Sequence, residues 1–250
     1  MEEWKHRSRN TNPFTGRGKA TVGARRKRAK AKGQKKTAAY YTVEQLKNLL
    51  DQTDRETLEG EPEKAWQRQR LRTLIYFMAY TGARINEAVH LEWKDIDWDR
   101  GAAWLFFKIE SDLKTAGSEA PFGLPDALIT VLKEWEAIKT CGWVFPNASM
   151  KPWLSAGPGY KHLDQLKALA ERAGVEHATW KMFRHSFDTH GKGRFGMTRE
   201  QMKNQLRHTT EETQKHYDHD DLQNLRDAVK GIDFRKPITA DADAEVPPPP

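Results

Sequence analysis

Two motifs near the C-terminal end decide how the rest of the chain is interpreted: KMFRHSF at residues 181–187 and LRHTTEETQKHYDH at residues 206–219. The first contains Lys181 and Arg184, which lie on the same face if the segment is helical. The second contains His208 and, nine residues further on, Tyr217. Transfer of a phosphodiester needs cations for the non-bridging oxygens, groups that carry protons and a nucleophile such as a phenol. The two motifs therefore predict a phosphodiester-transfer site, provided that the fold brings them together.

Two further cations lie upstream. Arg84 stands in TGARINEAVHLEWKDID at residues 81–97, at the start of a predicted short helix, and Lys114 stands in the polar turn SDLKTAGSEA at residues 111–120. Arginine suits phosphate because its fork of donors stays charged and matches two oxygens at once. Each residue also has an ordinary explanation, since Arg84 can pair with Glu87 and a turn lysine is usually solvated. The hypothesis of a phosphodiester-transfer site therefore rests on the occurrence of all these residues, in this order, in one chain.

The charge of the chain is concentrated in its first 39 residues. The net charge of the chain is +7, but residues 1–39 hold 13 Lys or Arg against two Glu, whereas residues 40–250 hold 29 basic and 33 acidic residues. The leader has little apolar periodicity, which predicts a disordered arm. Its function is predicted to be phosphate binding, and a solubilising leader is the alternative. The basic residues predicted to contact the phosphates of a nucleic acid are Arg25, Arg26, Lys27, Arg28, Lys30, Lys32, Lys35 and Lys36.

The remaining composition limits the class of protein. The single cysteine, Cys141, excludes an intramolecular disulfide framework and a cysteine-based zinc site, and it fits a reducing compartment. No apolar run reaches membrane-spanning length. A cytoplasmic location without a membrane partner is therefore expected. The tail from Lys236, which is acidic and ends in PPPP, is predicted to be disordered.

The periodicity of the body predicts a mainly α fold with a small antiparallel β-sheet, an α+β class. The chain is expected to divide into a disordered arm at 1–39, a folded domain at 40–235 and a disordered tail at 236–250. Capping boxes are predicted at Thr42–Gln45 and Thr198–Gln201, and Thr81-Gly82 is predicted to end the second helix, since glycine readily adopts the left-handed conformation at a helix C-terminus. Helices are predicted to begin at residue 42, to cover 64–80, 86–91, 126–139, 160–173, 181–191 and 198–206, to begin again at 210, and to cover 221–229. Strands are predicted at 95–98, 104–107 and 121–125.

In order and spacing, the three motifs resemble those of the tyrosine recombinase (phage integrase) family. TGARINEAVHLEWKDID resembles its T-G-x-R-x-x-E box followed by a W-x-D-I-D strand, KMFRHSF its H-x-x-R-H box, and LRHTTEETQKHYDH its L-G-H…T…Y box. The resemblance covers about residues 40–230 and implies the catalytic-domain fold of that family. It implies these roles: Arg84 and Arg184 as the phosphate clamp, Lys114 as general acid, Lys181 at the first position of H-x-x-R, His208 as a hydrogen-bonding residue near the phosphate, Tyr217 as nucleophile and Glu87 as support for the first arginine.

The resemblance also implies a reaction and partners. The substrate is expected to be double-stranded DNA, which is cleaved and rejoined at specific sites through a covalent 3′-phosphotyrosine, with no metal and no other cofactor. A homotetramer on DNA is expected, with accessory DNA-bending proteins as further partners. Related alternatives are a type IB topoisomerase-like activity and a non-catalytic DNA-binding accessory protein of the same fold. A metal site built on His216 and His219 is an alternative from a different class.

Three departures from the family pattern stand out in the sequence. Lys181 replaces the usual histidine, and lysine is a poorer base at neutral pH unless its pKa is lowered. Arg207 replaces the glycine before His208, which is expected either to alter the turn or to add a phosphate contact. Only the short basic arm precedes the catalytic-type region, where the family usually has a core-binding domain. This last point favours the accessory or truncated alternative.

Deletion of residues 1–36 is predicted to weaken DNA binding and to flatten its dependence on salt, because each phosphate contact releases a counterion. The measurement is the slope of log binding constant against log salt concentration for the full chain and the deletion variant. An unchanged slope would mean that the arm makes no phosphate contacts.

Overall fold

The computed structural model of the chain describes residues 39–105, 120–152, 161–207 and 219–236. These ranges contain helices and one three-stranded sheet, as the sequence predicts. The helices are α1 (Val43–Glu59), α2 (Ala65–Thr81), α3 (Ile85–Val89), α4 (Asp126–Glu136), α5 (Lys161–Arg172), α6 (Trp180–Gly193), α7 (Arg199–Gln205) and α8 (His219–Val229), with 3-10 turns at Pro62–Lys64 and Trp93–Asp95. The strands are β1 (Ile96–Asp97), β2 (Ala102–Leu105) and β3 (Ala120–Gly123).

Helix α2 lies at the centre of the core. The sequence predicts an apolar face of Leu71, Leu74, Ile75 and Met78, of which Leu71 is partly buried and the other three are buried. Phe77 and Tyr80 are buried as well. A helix that is apolar on several sides is buried on several sides, and α1, α4, α5 and α6 all pack against α2. The predicted mainly α fold with a small antiparallel sheet is therefore confirmed.

The helix boundaries follow local rules. The capping boxes at Thr42–Gln45 and Thr198–Gln201 are both present, with each threonine side chain accepting from the backbone amide three residues on. Helix α2 ends at Gly82, whose backbone is left-handed with φ of +62°. These three boundaries lie where the sequence places them.

The sheet has the order β1-β2-β3, with antiparallel pairing throughout. Strand β2 begins at Ala102, so the prediction that it begins at residue 104 was wrong. Ala102 pairs with Gly123, and small residues at both positions permit the close packing of this end of the sheet. A Cβ on Gly123 would lie 2.6 Å from the carbonyl oxygen of Leu225 in α8. The aromatic residues at 106–107, on which the predicted range rested, lie outside the described residues.

The first described residues are fixed to α6. The backbone amide of Tyr41 donates to Ser186 Oγ at 2.7 Å, and its carbonyl oxygen lies 2.8 Å from His190 Nε2. The Tyr41 hydroxyl bonds to the backbone of Thr179, which caps the same helix. Helix α6 is thus held from its N-cap to its last turn. Within the described ranges, no helix is both long and apolar enough to cross a membrane.

The glycine at the end of α2 yields a test of packing. Gly82 and Gly196 share a φ of +62°, but a Cβ on Gly82 would lie 2.7 Å from Leu206 Cδ2, whereas a Cβ on Gly196 would meet nothing within 4 Å. Gly196→Ala is expected to lower the free energy of unfolding by about 1 kcal/mol, the cost of a left-handed backbone. Gly82→Ala is expected to lower the free energy of unfolding by roughly 1–3 kcal/mol more than Gly196→Ala, because the added methyl group would crowd the Leu206 side chain.

Chemical denaturation of the two variants and the wild type measures this difference. Equal losses in the two variants would mean that the contact between Gly82 and Leu206 relaxes without cost.

Candidate active site

The turn after α2 brings the first arginine to the surface of the core. Arg84 occupies the N-cap position of α3, and its backbone amide donates to Glu87 Oε2 at 2.6 Å. Its guanidinium Nη1 donates to Glu87 Oε1 at 2.8 Å. The side chain of Arg84 is nevertheless 49% exposed, whereas that of Glu87 is 1% exposed. One guanidinium nitrogen of Arg84 therefore pairs with a buried carboxylate, and the other N–H donors of the group can bind a ligand.

Glu87 is also paired with an arginine from the other end of the chain. Arg207 Nη2 donates to Glu87 Oε2 at 2.5 Å, and the Arg207 side chain is completely buried. Burial raises the pKa of the Glu87 carboxyl, but the charges of Arg207 and Arg84 and the hydrogen bonds from Arg84 outweigh it and hold the pKa below its usual value. Glu87 is therefore ionised at neutral pH and joins two segments that are 120 residues apart.

The second arginine comes from α6 and reaches the same turn. Arg184 Nη1 donates to the carbonyl oxygen of Gly82 at 2.9 Å, and Nη2 donates to the carbonyl oxygen of Leu206. Burial, followed by repulsion from Arg207 and Arg84, lowers the pKa of Arg184 to about 9. The group stays charged at pH 7, and its two carbonyl partners carry no net charge. An anion bound nearby would relieve this unfavourable environment.

These cations face one cleft of about 400 Å³. Arg84, Lys181 and Arg184 line it, and Trp180 and Ile85 contribute apolar surface. Lys181 and Arg184 share a face of α6, as the sequence predicts. The three cations are contributed by two segments that are separated by about a hundred residues in sequence, so the fold brings them together. A cleft with this lining is suited to a phosphate group.

A histidine that the sequence analysis did not assign also lines the cleft. His185 follows Arg184 and stands four residues after Lys181, a spacing that places both on one helical face. Its Nε2 is buried, with no hydrogen-bond partner among the described residues. Burial, with Lys181 and Arg184, lowers the pKa of His185. The helical spacing was the signal that would have identified it.

Other predicted site residues lie outside the described residues. These are Lys114, His208, Tyr217 and the basic residues of the leader, so their roles stay predictions. Arg207, which immediately precedes His208, is described, and its buried side chain contradicts the expectation of a phosphate contact. Among the described residues, no group of three metal-ligating side chains is placed to hold a metal ion. The alternative metal site on His216 and His219 rests on side chains that are not described.

Residues 40–224 match the model of the phage integrase family. An integrase from mycobacterium phage Brujita is similar in fold, with a TM-score of 0.58 and 14% identity over 84% of this chain and 64% of that chain. XerA recombinase gives a TM-score of 0.54 and 15% identity over 78% of this chain and 64% of that chain.

XerH site-specific recombinase, in a post-cleavage complex with palindromic difH substrate, gives a TM-score of 0.50 and 25% identity over 76% of this chain and 52% of that chain. The chain thus spans between about half and two thirds of the length of these three proteins. None of the curated proteins matches the sequence.

The buried carboxylate gives a prediction about stability and pH. Because the folded pKa of Glu87 lies below its unfolded value, the stability it contributes is present above about pH 4.3 and is lost as the pH falls through the folded pKa. Glu87→Gln is expected to lower the free energy of unfolding by roughly 3–5 kcal/mol at pH 7, since it leaves Arg207 without its counter-charge. The difference from the wild type should shrink below pH 4.

Urea denaturation of both proteins between pH 2.5 and 7 measures this, with Glu176→Gln at an exposed position as the control. A difference that stays constant across this range would show that the charge of Glu87 does not stabilise the fold.

Proposed function

The chain belongs to the phage integrase family of tyrosine recombinases, and on that premise we propose that it breaks and rejoins DNA strands at specific sites through a phosphotyrosine intermediate. The observation that carries the proposal is the convergence of Arg84, Arg184 and Lys181 on one cleft. A site with three cations and one buried, already paired carboxylate is prepared for a phosphodiester. The similarity to XerH, whose structure contains a cleaved difH substrate, supports DNA as the substrate.

The two arginines are proposed to bind the non-bridging oxygens of one phosphate. Arg184 is held by two backbone carbonyls and Arg84 by Glu87, so both guanidinium groups are oriented before the ligand arrives. Preorganised donors stabilise the charge that builds up on the equatorial oxygens in the transition state. Lys181 adds a third cation from the exposed side of α6.

Tyr217 is proposed to supply the nucleophile. Its Oη forms a bond to phosphorus while the bond from phosphorus to O5′ breaks, and the electron pair leaves with O5′. Lys114 is proposed to protonate that oxygen, and the phenolic proton passes to a neutral base of the site. The 3′-phosphotyrosine conserves the energy of the broken bond, so a 5′-hydroxyl can reverse the step and rejoin a strand. No further reactant is needed for this balance.

Recombination also needs several subunits and two DNA sites. We propose a homotetramer on DNA, with the basic leader as an additional phosphate contact and DNA-bending proteins as accessory partners. The leader is suited to this role because it carries a large net positive charge, whereas the rest of the chain is slightly acidic. A cytoplasmic location is proposed with this function.

A nicked suicide DNA substrate is expected to trap a covalent complex with the full chain in the presence of EDTA. Tyr217→Phe should abolish the complex because it removes the attacking oxygen, whereas the control Tyr160→Phe should retain it. Arg184→Gln should slow its formation by about 10²–10³-fold, the usual cost of one lost transition-state donor. The measurement is the yield of the denaturant-resistant complex over time, across a library of DNA sites.

The outcomes separate the alternatives. If the wild type binds DNA but traps no complex at any site, the chain is a DNA-binding accessory protein. If it traps a complex and relaxes single circles but never joins two marked sites, the activity is that of a topoisomerase.

A further inference from the structure

Arg207 occupies a position that disfavours its own residue type. It follows α7 with a left-handed backbone, φ of +51°, a conformation that glycine adopts readily and other residues rarely adopt. The preceding segment is fixed to the sheet, because the side-chain amide of Gln205 makes two hydrogen bonds with the backbone of Gly123, at 2.9 and 3.0 Å. The turn is thus anchored by Gln205, and the Arg207 side chain adds one long hydrogen bond to it, from Nη1 to the carbonyl oxygen of Gln205 at 3.5 Å.

The arginine side chain points into the protein. It is completely buried, its guanidinium carbon lies 4.7 Å from the centre of the Phe122 ring, and its Nη2 donates to Glu87. Burial is the largest cause of the lowered pKa of Arg184, and the charge of Arg207 is the next. A group with no exposed surface does not contact DNA directly.

The two oxygens of Glu87 are divided between the two arginines. Oε1 accepts from Arg84 Nη1, and Oε2 accepts from the Arg84 backbone amide and from Arg207 Nη2. Loss of Arg207 would leave Oε2 with the Arg84 backbone amide as its partner among the described residues. The guanidinium of Arg84 could then donate a second bond, to Oε2, and complete the bidentate pair that arginine and carboxylate prefer. Its donors would then face Glu87 instead of the cleft.

We propose that Arg207 is a positioning residue that occupies one oxygen of Glu87 and thereby keeps the guanidinium of Arg84 directed at the ligand in the cleft. It acts through Glu87 and does not touch the substrate. The inference rests on the proposed function for its effect on DNA cleavage, but its effect on Arg84 exists with or without that chemistry.

Three variants separate charge from backbone and volume. Arg207→Gly relieves the left-handed backbone and removes the charge, Arg207→Met keeps most of the volume and removes the charge, and Arg207→Lys keeps the charge without the fork. Both uncharged variants are expected to slow covalent complex formation on the suicide substrate by about 100-fold, the cost of a small misplacement in the site. Arg207→Lys should recover a large part of that loss.

Arg72→Met is the matched control. Arg72 is also mostly buried, pairs with Asp54 and Glu134 and lies 5.2 Å from the ring centre of Tyr76, but it does not line the cleft. Its variant should lose stability, as Arg207→Met does, without a change in the cleavage rate. A control that slows cleavage equally would reduce the role of Arg207 to general stability.

Two results with DNA would overturn the inference. If Arg207→Gly cleaves DNA at the wild-type rate, the arginine side chain is not needed for cleavage and only the backbone of the turn matters. A decrease of about one in the salt slope of DNA binding by Arg207→Met, without loss of the bound cleavage rate, would identify a phosphate contact instead.

A further measurement, the NMR signal of the Arg84 guanidinium, does not depend on DNA cleavage. The guanidinium resonance of Arg84, assigned by its disappearance in Arg84→Lys, is expected to shift and to broaden less in Arg207→Met, because a bidentate pair restricts rotation. An unchanged resonance overturns the inference. If the wild type traps no covalent complex while this resonance shifts, the proposed function fails and the positioning role stands.

Discussion

The site depends on a single buried negative charge. The Glu87 carboxylate accepts hydrogen bonds from the backbone amide and the guanidinium of Arg84, and from Arg207 in a segment 120 residues away. A buried carboxylate is tolerated only when it is paired and hydrogen-bonded, and here both conditions are met by groups that build the cleft. The interaction therefore has two effects. It compensates the cost of burial, and it fixes the distance between the turn after α2 and the segment that leads to His208.

Backbone atoms perform the corresponding task for the second arginine. Arg184 is held by the carbonyl oxygens of Gly82 and Leu206, so its position is set by the same turn and the same segment that Glu87 connects. Carbonyl oxygens orient a guanidinium without neutralising it, which preserves its attraction for an anion. Glu87 and these two carbonyls are thus complementary: one carboxylate limits the repulsion among three arginines, and neutral acceptors leave a net positive charge facing the cleft.

Features that depend on neighbouring residues were predictable from the sequence, and features that depend on distant ones were not. The capping boxes, the glycine stop at Gly82 and the shared face of Lys181 and Arg184 follow from short-range spacing. The first residue of β2 was misplaced because aromatic residues suggested a later strand, whereas the pairing of Ala102 with Gly123 is a tertiary requirement. The buried orientation of Arg207 could not be inferred, since an arginine in a glycine-like turn gives no signal about its partner.

The double attachment of Arg184 has a thermodynamic consequence. Arg84 precedes β1 and Arg184 lies in α6, so an anion bound between them would add a further link between two parts of the chain that already meet through the hydrogen bond from Arg184 to the carbonyl oxygen of Gly82. A ligand of this kind acts as a reversible cross-link, and the folded state gains stability with the logarithm of its concentration above the dissociation constant. Occupancy of the cleft and stability of the domain are thus linked, so the melting temperature reports the fraction of molecules that hold an anion.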